Sequence, residues 1–203
     1  MVTASHNAGT RGQILRAALK RFAHAGYAAA SVQQIVSEAK VSKPTLYYYF
    51  PDKAGLFQAL VNEALDERYR LMREAAEQAN DLRGKLVHIL TVLFDYFEQN
   101  RELMRISFAT MFAAPGEVPA GLDYTDRCER NFDFIHSVMK QALKNGELDG
   151  HFDSRELAFG FYGQANMYLV GHIVMPGCCL NRQTAERIVD LFLAGAVAKK
   201  KRI

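Results

Sequence analysis

Lys43, Thr45, Tyr47 and Tyr48 crowd into one short segment, KPTLYYYF. A lysine ammonium and a threonine side chain can address base edges, and tyrosine hydroxyls suit phosphate oxygens. A helix built only to fill a core would not gather such groups at its exposed beginning, whereas a helix that enters a DNA major groove does. The plainer alternative makes the tyrosines an exposed hydrophobic staple and Lys43 a solvated charge. Elsewhere the reactive residue types do not assemble. His6, His24, His88, His136, His151 and His172 show neither HExxH spacing nor a CxxC partner. There is no Gly-x-Ser-x-Gly elbow and no phosphate-cradling glycine loop. The carboxylate pairs Asp66–Glu67 and Asp123–Asp126 read as solvated helix faces and caps. No reaction, metal centre or cofactor is indicated, and an all-α enzyme is the weaker alternative.

The elements around that segment are legible from their punctuation. Ser31 and Gln34 have capping-box spacing, and Val32, Ile35, Val36 and Ala39 follow on one helical face. Val41 is an apolar turn residue. Ser42 is the next N-cap, with Pro44 in the first turn, where a missing amide costs little. Leu46 and Phe50 lie four apart and can face inward, Pro51 stops the helix, and Asp52 can cap its successor. Upstream, Thr10 and Gln13 repeat the capping-box spacing, and Ile14, Leu15, Ala18, Leu19 and Phe22 form an apolar stripe that Gly26 ends. Three such helices can enclose a small core.

The segment ILRAALKRFAHAGYAAASVQQIVSEAKVSKPTLYYYFPDKAGLF resembles the N-terminal domain of the tetracycline-repressor (TetR) family of bacterial regulators. The resemblance rests on Phe22, Gly26 and Tyr27, on Ser31, Ile35 and Val36, and on Val41, Ser42, Thr45, Leu46, Tyr47, Phe50 and Lys53. It covers roughly a quarter of the chain, and its specificity lies in several positions agreeing over a fixed length. Tyr49 stands where histidine is usual. Gly55 stands where the family often has glutamate or another helix former, and could loosen the start of the fourth helix. The resemblance implies that Lys43, Pro44 and Thr45 meet base edges or the thymine methyl, that Gln33 reaches the groove or its rim, and that Ser31, Ser42, Tyr47, Tyr48 and Lys53 hold phosphates. It also implies a homodimer on a pseudo-palindromic double-stranded operator, most simply as a repressor released by a small molecule.

Charge divides the chain in the same sense. Residues 1–53 carry seven basic and two acidic side chains, a balance of +5, and 199–202 add four more positive charges. The whole chain is +3, which leaves the middle at −6. A basic end that faces DNA and an acidic remainder fit one DNA-binding part, not binding along the whole length. We therefore expect a helix-turn-helix domain over 1–53 and a ligand-binding and dimerisation domain over 54–203.

From residue 52 onward the pattern stays helical, with helices expected near 52–79, 82–99, 101–113, 123–145, 154–175 and 182–198. Residues 114–121, with Pro115, Gly116, Pro119 and Gly121, form the clearest loop. No strand is indicated, so the expected class is all-α, a three-helix head followed by a helical bundle. Stretch 157–175 is the most apolar, but Gln164, Asn166, His172 and three glycines make it a buried helix and not a membrane span. Ile188, Val189, Leu191, Phe192, Leu193, Ala196 and Val197 form a second broad apolar surface. Surfaces this wide need a partner. The resemblance implies that the helices near 154–175 and 182–198 pair between two copies. Glutamate at Leu169 or Phe192 is expected to break the dimer or unfold the chain, because it buries an unpaired charge. Gly160, Gly163 and Gly171 either permit close helix approach there or are merely tolerated.

Ten of the 13 phenylalanines follow residue 57. Phe94, Phe97, Phe108, Phe112, Phe134, Phe159 and Tyr162 could line a cavity, with His88, Asn166 and His172 supplying polar contacts. The same residues could equally be plain core. A pocket would take a small, largely apolar effector, and a DNA-binding protein without an effector remains the other reading. Cys128, Cys178 and Cys179 make neither a disulfide framework nor a metal motif. The adjacent pair is either redox-sensing or two reduced thiols. The start, MVTASHNAG, lacks the charged and apolar regions of a signal peptide, so a cytoplasmic location is expected.

Overall fold

The structure, a computed structural model, describes residues 9–175 and 177–196. The basic run at 199–202, Pro176 and Val197 lie outside the described residues. Among those described there are nine helices and no strand: α1 (Thr10–Ala29), α2 (Val32–Ala39), α3 (Lys43–Tyr49), α4 (Lys53–Ala76), α5 (Leu82–Gln99), α6 (Arg101–Met111), α7 (Thr125–Lys144), α8 (Ser154–Val174) and α9 (Arg182–Ala196). The chain is all-α, as the helical periodicity implies. It divides into two compact units. One comprises residues up to Ala64 together with Asn100–Tyr124, the other Leu65–Gln99 together with residues from Thr125 onward. The sequence boundary after residue 53 does not coincide with this division. It misses that α6 packs on α1 and that Gln58 and the backbone of Asp123 bond to each other reciprocally.

In the first unit, Ile14, Leu15, Ala18 and Phe22 of α1 are buried against Ile35 and Val36 of α2, Leu46 of α3 and Leu56 and Phe57 of α4. Fully burying each large side chain contributes roughly 1.5–3 kcal/mol. The N-cap of α1 is Gly9, without a side-chain cap bond, so Thr10 is the first helical residue and not the cap its spacing suggests. The helix breaks at Gly26, whose φ of 76° suits glycine, and one more turn follows. Gly55 also has a steric reason. A Cβ there would lie 2.8 Å from Pro51 Cγ. The glycine lets the Pro51 ring lie against the start of α4, while Asp52 Oδ1 accepts the Gly55 amide at 2.7 Å.

In the second unit, Leu86, Leu90, Phe94 and Phe97 of α5, Ile135 and Met139 of α7, Phe161, Ala165 and Leu169 of α8, and Ile188 and Val189 of α9 form the core. Asp81, Asp153 and Asn181 cap α5, α8 and α9, with Asp153 completing a full capping box with Glu156. Leu169 is only 4% exposed within one copy. Phe192 turns its ring edge onto Phe161. Both therefore contribute to the fold of a single chain. The exposed apolar residues of these helices are Phe159, Met167, Val174 and Leu191, and Gly160 and Gly163 are exposed beside them. Gly171, by contrast, is buried, with Met175 and Cys178 at its Cα.

Candidate nucleic-acid interface

The recognition segment is built from two caps and a left-handed turn. Ser31 accepts the Gln34 amide at 3.2 Å, and Gln34 returns a bond to the Ser31 amide, a complete capping box. Lys40 then takes φ 53°, the one non-glycine residue with positive φ among those described. Its amide meets the carbonyls of Ser37 and Val36, and the Val41 amide reaches back to Val36. Ser42 caps α3, accepting the Thr45 amide at 3.2 Å and sharing a 2.8 Å hydroxyl contact with Thr45. Pro44 occupies the first turn of α3.

Leu46 and Phe50 anchor α3 inward at 0% and 3% exposure. That pins its opposite face outward. Lys43 and Pro44 are exposed at its start, Tyr48 is 82% exposed, and Tyr47 is 47% exposed. Tyr49 packs its ring edge-on against Tyr48 at 5.1 Å. Gln33 is exposed on α2. The fold thus brings Gln33, Lys43, Pro44, Thr45, Tyr47 and Tyr48 onto the helix pair, all exposed but the half-buried Thr45.

The residues of three expected phosphate contacts also have partners within the chain. The oxygens of Ser31 and Ser42 accept backbone amides as caps, a bond that uses an acceptor lone pair and not the hydroxyl proton. Lys53 donates to the carbonyls of Tyr27, Ala28 and Ala30 at 2.9, 3.3 and 3.1 Å, and its ammonium lies 4.4 Å from the Tyr27 ring centroid. An ammonium has three donors, so Lys53 is fully occupied in tying α4 to the end of α1. Tyr27 also packs edge-on against Phe57, which does the same with Phe22. Burial raises the Tyr27 phenol above its ordinary range, and Asp52 adds to the shift.

Charge pairing narrows which cations remain available. Lys20 and Arg21 pair with Glu38, and Arg11 pairs with Glu63 and lies over the Phe50 ring. Lys40 and Lys43 are exposed and without such partners among the described residues. Lys40, in the turn itself, was not singled out by the sequence. Its signal was a lysine between an apolar helix face and a capping serine.

The proposed pocket residues do not converge. Phe94 and Phe97 are 0% and 1% exposed inside the core. Phe112 is 85% exposed, and it belongs with Phe108 to the first unit. His172 has Glu98 Oε1 2.8 Å from Nε2 and the Cys178 carbonyl at Nδ1, so it ties α5 to the loop after α8. His88 is half-buried with an unpartnered Nδ1. Phe134 borders a cleft of about 360 Å³ with Arg73, Leu82, Lys85, Val138 and Gln141. Tyr162 and Asn166 do meet each other's neighbourhood, around Arg68, which the sequence reading missed. Among the described residues no cluster suited to a metal is present.

Residues 14–60 match the model of the bacterial regulatory proteins of the tetR family. That segment, about a quarter of the chain, is similar to the DNA-binding part of those regulators. The chain is 32% identical over 127 residues, 62% of its length, to the HTH-type transcriptional activator FasR of Mycolicibacterium smegmatis. That match covers 58% of FasR, and a match to the regulator YuxN of Bacillus subtilis covers 60% of its length. The chain thus spans about 60% of these curated relatives. Among solved structures, the fatty acid degradation regulator FadR of Bacillus halodurans superposes with a TM-score of 0.80 at 18% identity, over 92% of this chain and 95% of that one. FadR of Bacillus subtilis, solved with stearoyl-CoA, gives 0.77 at 16% identity, over 90% and 97%. At these identities the two structures establish a shared fold. No helix among the described residues is long and apolar enough to cross a membrane.

Proposed function

We propose that this chain is a TetR-family, ligand-responsive transcriptional regulator and not an enzyme, working in the cytoplasm as a homodimeric repressor on a pseudo-palindromic operator. One observation carries the DNA-binding part: the outward face of α3, with Lys43, Pro44, Tyr47 and Tyr48 exposed above a fully buried Leu46. A rigid apolar underside and a polar, cationic outer face are what major-groove docking requires. Lys43, Pro44 and Thr45 read base edges, Gln33 reaches the rim, and Tyr47, Tyr48 and Lys40 hold phosphates. Ser31, Ser42 and Lys53 position the two helices.

Dimerisation through α8 and α9 is supported by the exposed Phe159, Met167, Val174 and Leu191, which would place two heads on half-sites about one helical turn apart. An effector in the second unit acts through α4, whose residues belong to the first unit up to Ala64 and to the second from Leu65. The effector must bind the DNA-free state more tightly, or no release follows. Because the B. subtilis FadR structure holds stearoyl-CoA, long acyl compounds are the first effectors to try. The direction of control has a second reading, since FasR is named an activator.

The test is selection of duplexes from a random DNA pool, followed by gel shift on the winner with and without stearoyl-CoA and a metabolite library. The account expects an inverted repeat, bound by a dimer and released by at least one compound. Enrichment of no sequence over the starting pool would remove the operator reading. Release by no compound would favour a DNA-binding protein without an effector.

A further inference from the structure

Arg68, on α4 in the second unit, is a half-buried guanidinium without a counter-ion. Its Nη2 donates to Asn166 Oδ1 at 3.0 Å, and its charge lies 4.9 Å from the Tyr162 ring centroid. Its Nε is buried with no acceptor. Among the described residues no carboxylate lies within ion-pair distance of it. The neighbouring acids along α4 are committed: Asp66 to Arg127 and Arg130, and Glu67 to Arg70. The nearby Cys128 thiol does not serve either. Burial pushes it above its ordinary range despite the pull of Arg68, so it stays neutral at physiological pH. One turn back along α4, the Leu65 carbonyl accepts the amide of Asn131. Asn131 is wholly buried, and its Oδ1 is also unpartnered.

A withdrawn cation with an unused donor is costly unless something completes it. Nature retains such a group where a ligand supplies the missing charge, and the planar guanidinium fork matches an oxyanion with two oxygens. The Phe132 ring lies edge-on to Tyr162 at 6.0 Å and tilted against Phe159 at 4.4 Å, which gives the same layer an apolar flank. We infer that Arg68, with Asn166 and Tyr162, is the anchor for the carboxylate of an amphipathic organic acid bound among α4, α7 and α8. This rests on the effector-binding reading of the second unit and names the effector's chemistry: an anionic head on an apolar body.

The experiment is calorimetric titration of the full chain, without DNA, with decanoate and phenylacetate, each against its alcohol, decanol and 2-phenylethanol. Stearoyl-CoA is a further arm. At least one acid binds wild type ten-fold or more tightly than its alcohol. Arg68→Met abolishes that preference without lowering the melting temperature of the free protein. Asn166→Asp, which supplies an internal counter-ion, raises the melting temperature and also weakens acid binding at least ten-fold. If Arg68→Met does not fold, Asn166→Asp decides alone. The inference is overturned if neither acid binds, if the preference survives in either variant, or if stearoyl-CoA alone binds through Arg68, which would assign the site to phosphate. Operator release is scored separately. Arg68-dependent acid binding that leaves operator affinity unchanged upholds the anchor and removes the effector reading. A neutral ligand that releases wild type and Arg68→Met equally does the reverse.

Discussion

Lys40 and Lys53 show two opposite uses of one side chain. Lys53 places its ammonium on three carbonyls at the end of α1. Charge-assisted bonds of this kind are worth about 1.5–3 kcal/mol each at most. Lys53→Met should therefore destabilise the fold by a few kcal/mol in urea titration, and loss of DNA affinity with stability untouched would return Lys53 to phosphate binding. Lys40 instead occupies a left-handed turn that costs a non-glycine residue roughly 1 kcal/mol. Lys40→Gly should stabilise the free protein by about 0.5–1 kcal/mol. It should also lower the slope of log affinity against log salt by about 1. A variant that gains stability and keeps the full salt slope would place no phosphate at Lys40. Strain kept at a cationic turn is the expected trade between stability and binding. The sequence revealed Lys43, Thr45 and Tyr48 because polar groups cluster there against the apolar period. It could not reveal that Lys53 is occupied, because its partners are backbone carbonyls more than twenty residues away.

At the scale of elements, the caps account for most of what could be read in advance. Ser31 with Gln34, Ser42 and Asp52 all sit at helix starts as local spacing implied, because capping is decided within four residues. Thr10 failed for the same reason in reverse, since Gly9 can take the cap position without a side-chain bond. Gly55 looked like a weakness of α4 and instead makes room for the Pro51 ring. Gly55→Ala should lower thermal stability despite alanine's better helix propensity, and a rise in melting temperature would show that Pro51 moves freely aside. Between α5 and α9, Arg83 holds the Asp190 carboxyl below the usual carboxylate range, and both are exposed. A depressed carboxyl stabilises at neutral pH and loses that contribution as pH falls through its folded value. Solvent screening keeps it small, so Asp190→Asn should barely shift the melting temperature at neutral pH.

For the whole molecule, the aromatic supply of the second half misled by its spacing. Phe94 and Phe97 recur at helical period because they are core, and a sequence cannot separate a cavity wall from a filled interior. The pocket candidates that did converge, Tyr162 and Asn166, are joined by Arg68, more than ninety residues earlier in the chain. The exposed apolar surface on α8 and α9 was legible as a region but not by residue, since α8 is apolar on both its inner and outer faces. Met167→Glu and Leu191→Glu, at 60% and 61% exposed positions, should yield folded monomers by light scattering with weakened operator binding. Leu169→Glu should unfold the chain, because it buries an unpaired charge. Dimers that persist in both surface variants would move the interface elsewhere.

The central claim is that the outer face of α3 reads DNA, and an anisotropy titration of Lys43→Ala/Tyr48→Phe on the selected operator tests it most directly. Circular dichroism should show the fold retained, since both side chains are exposed and Leu46 is untouched. Loss of the lysine should cost about 1–3 kcal/mol and narrow the gap between operator and scrambled DNA. Loss of the tyrosine hydroxyl should weaken both duplexes alike. A folded double variant that binds operator with wild-type affinity and wild-type discrimination would contradict the account.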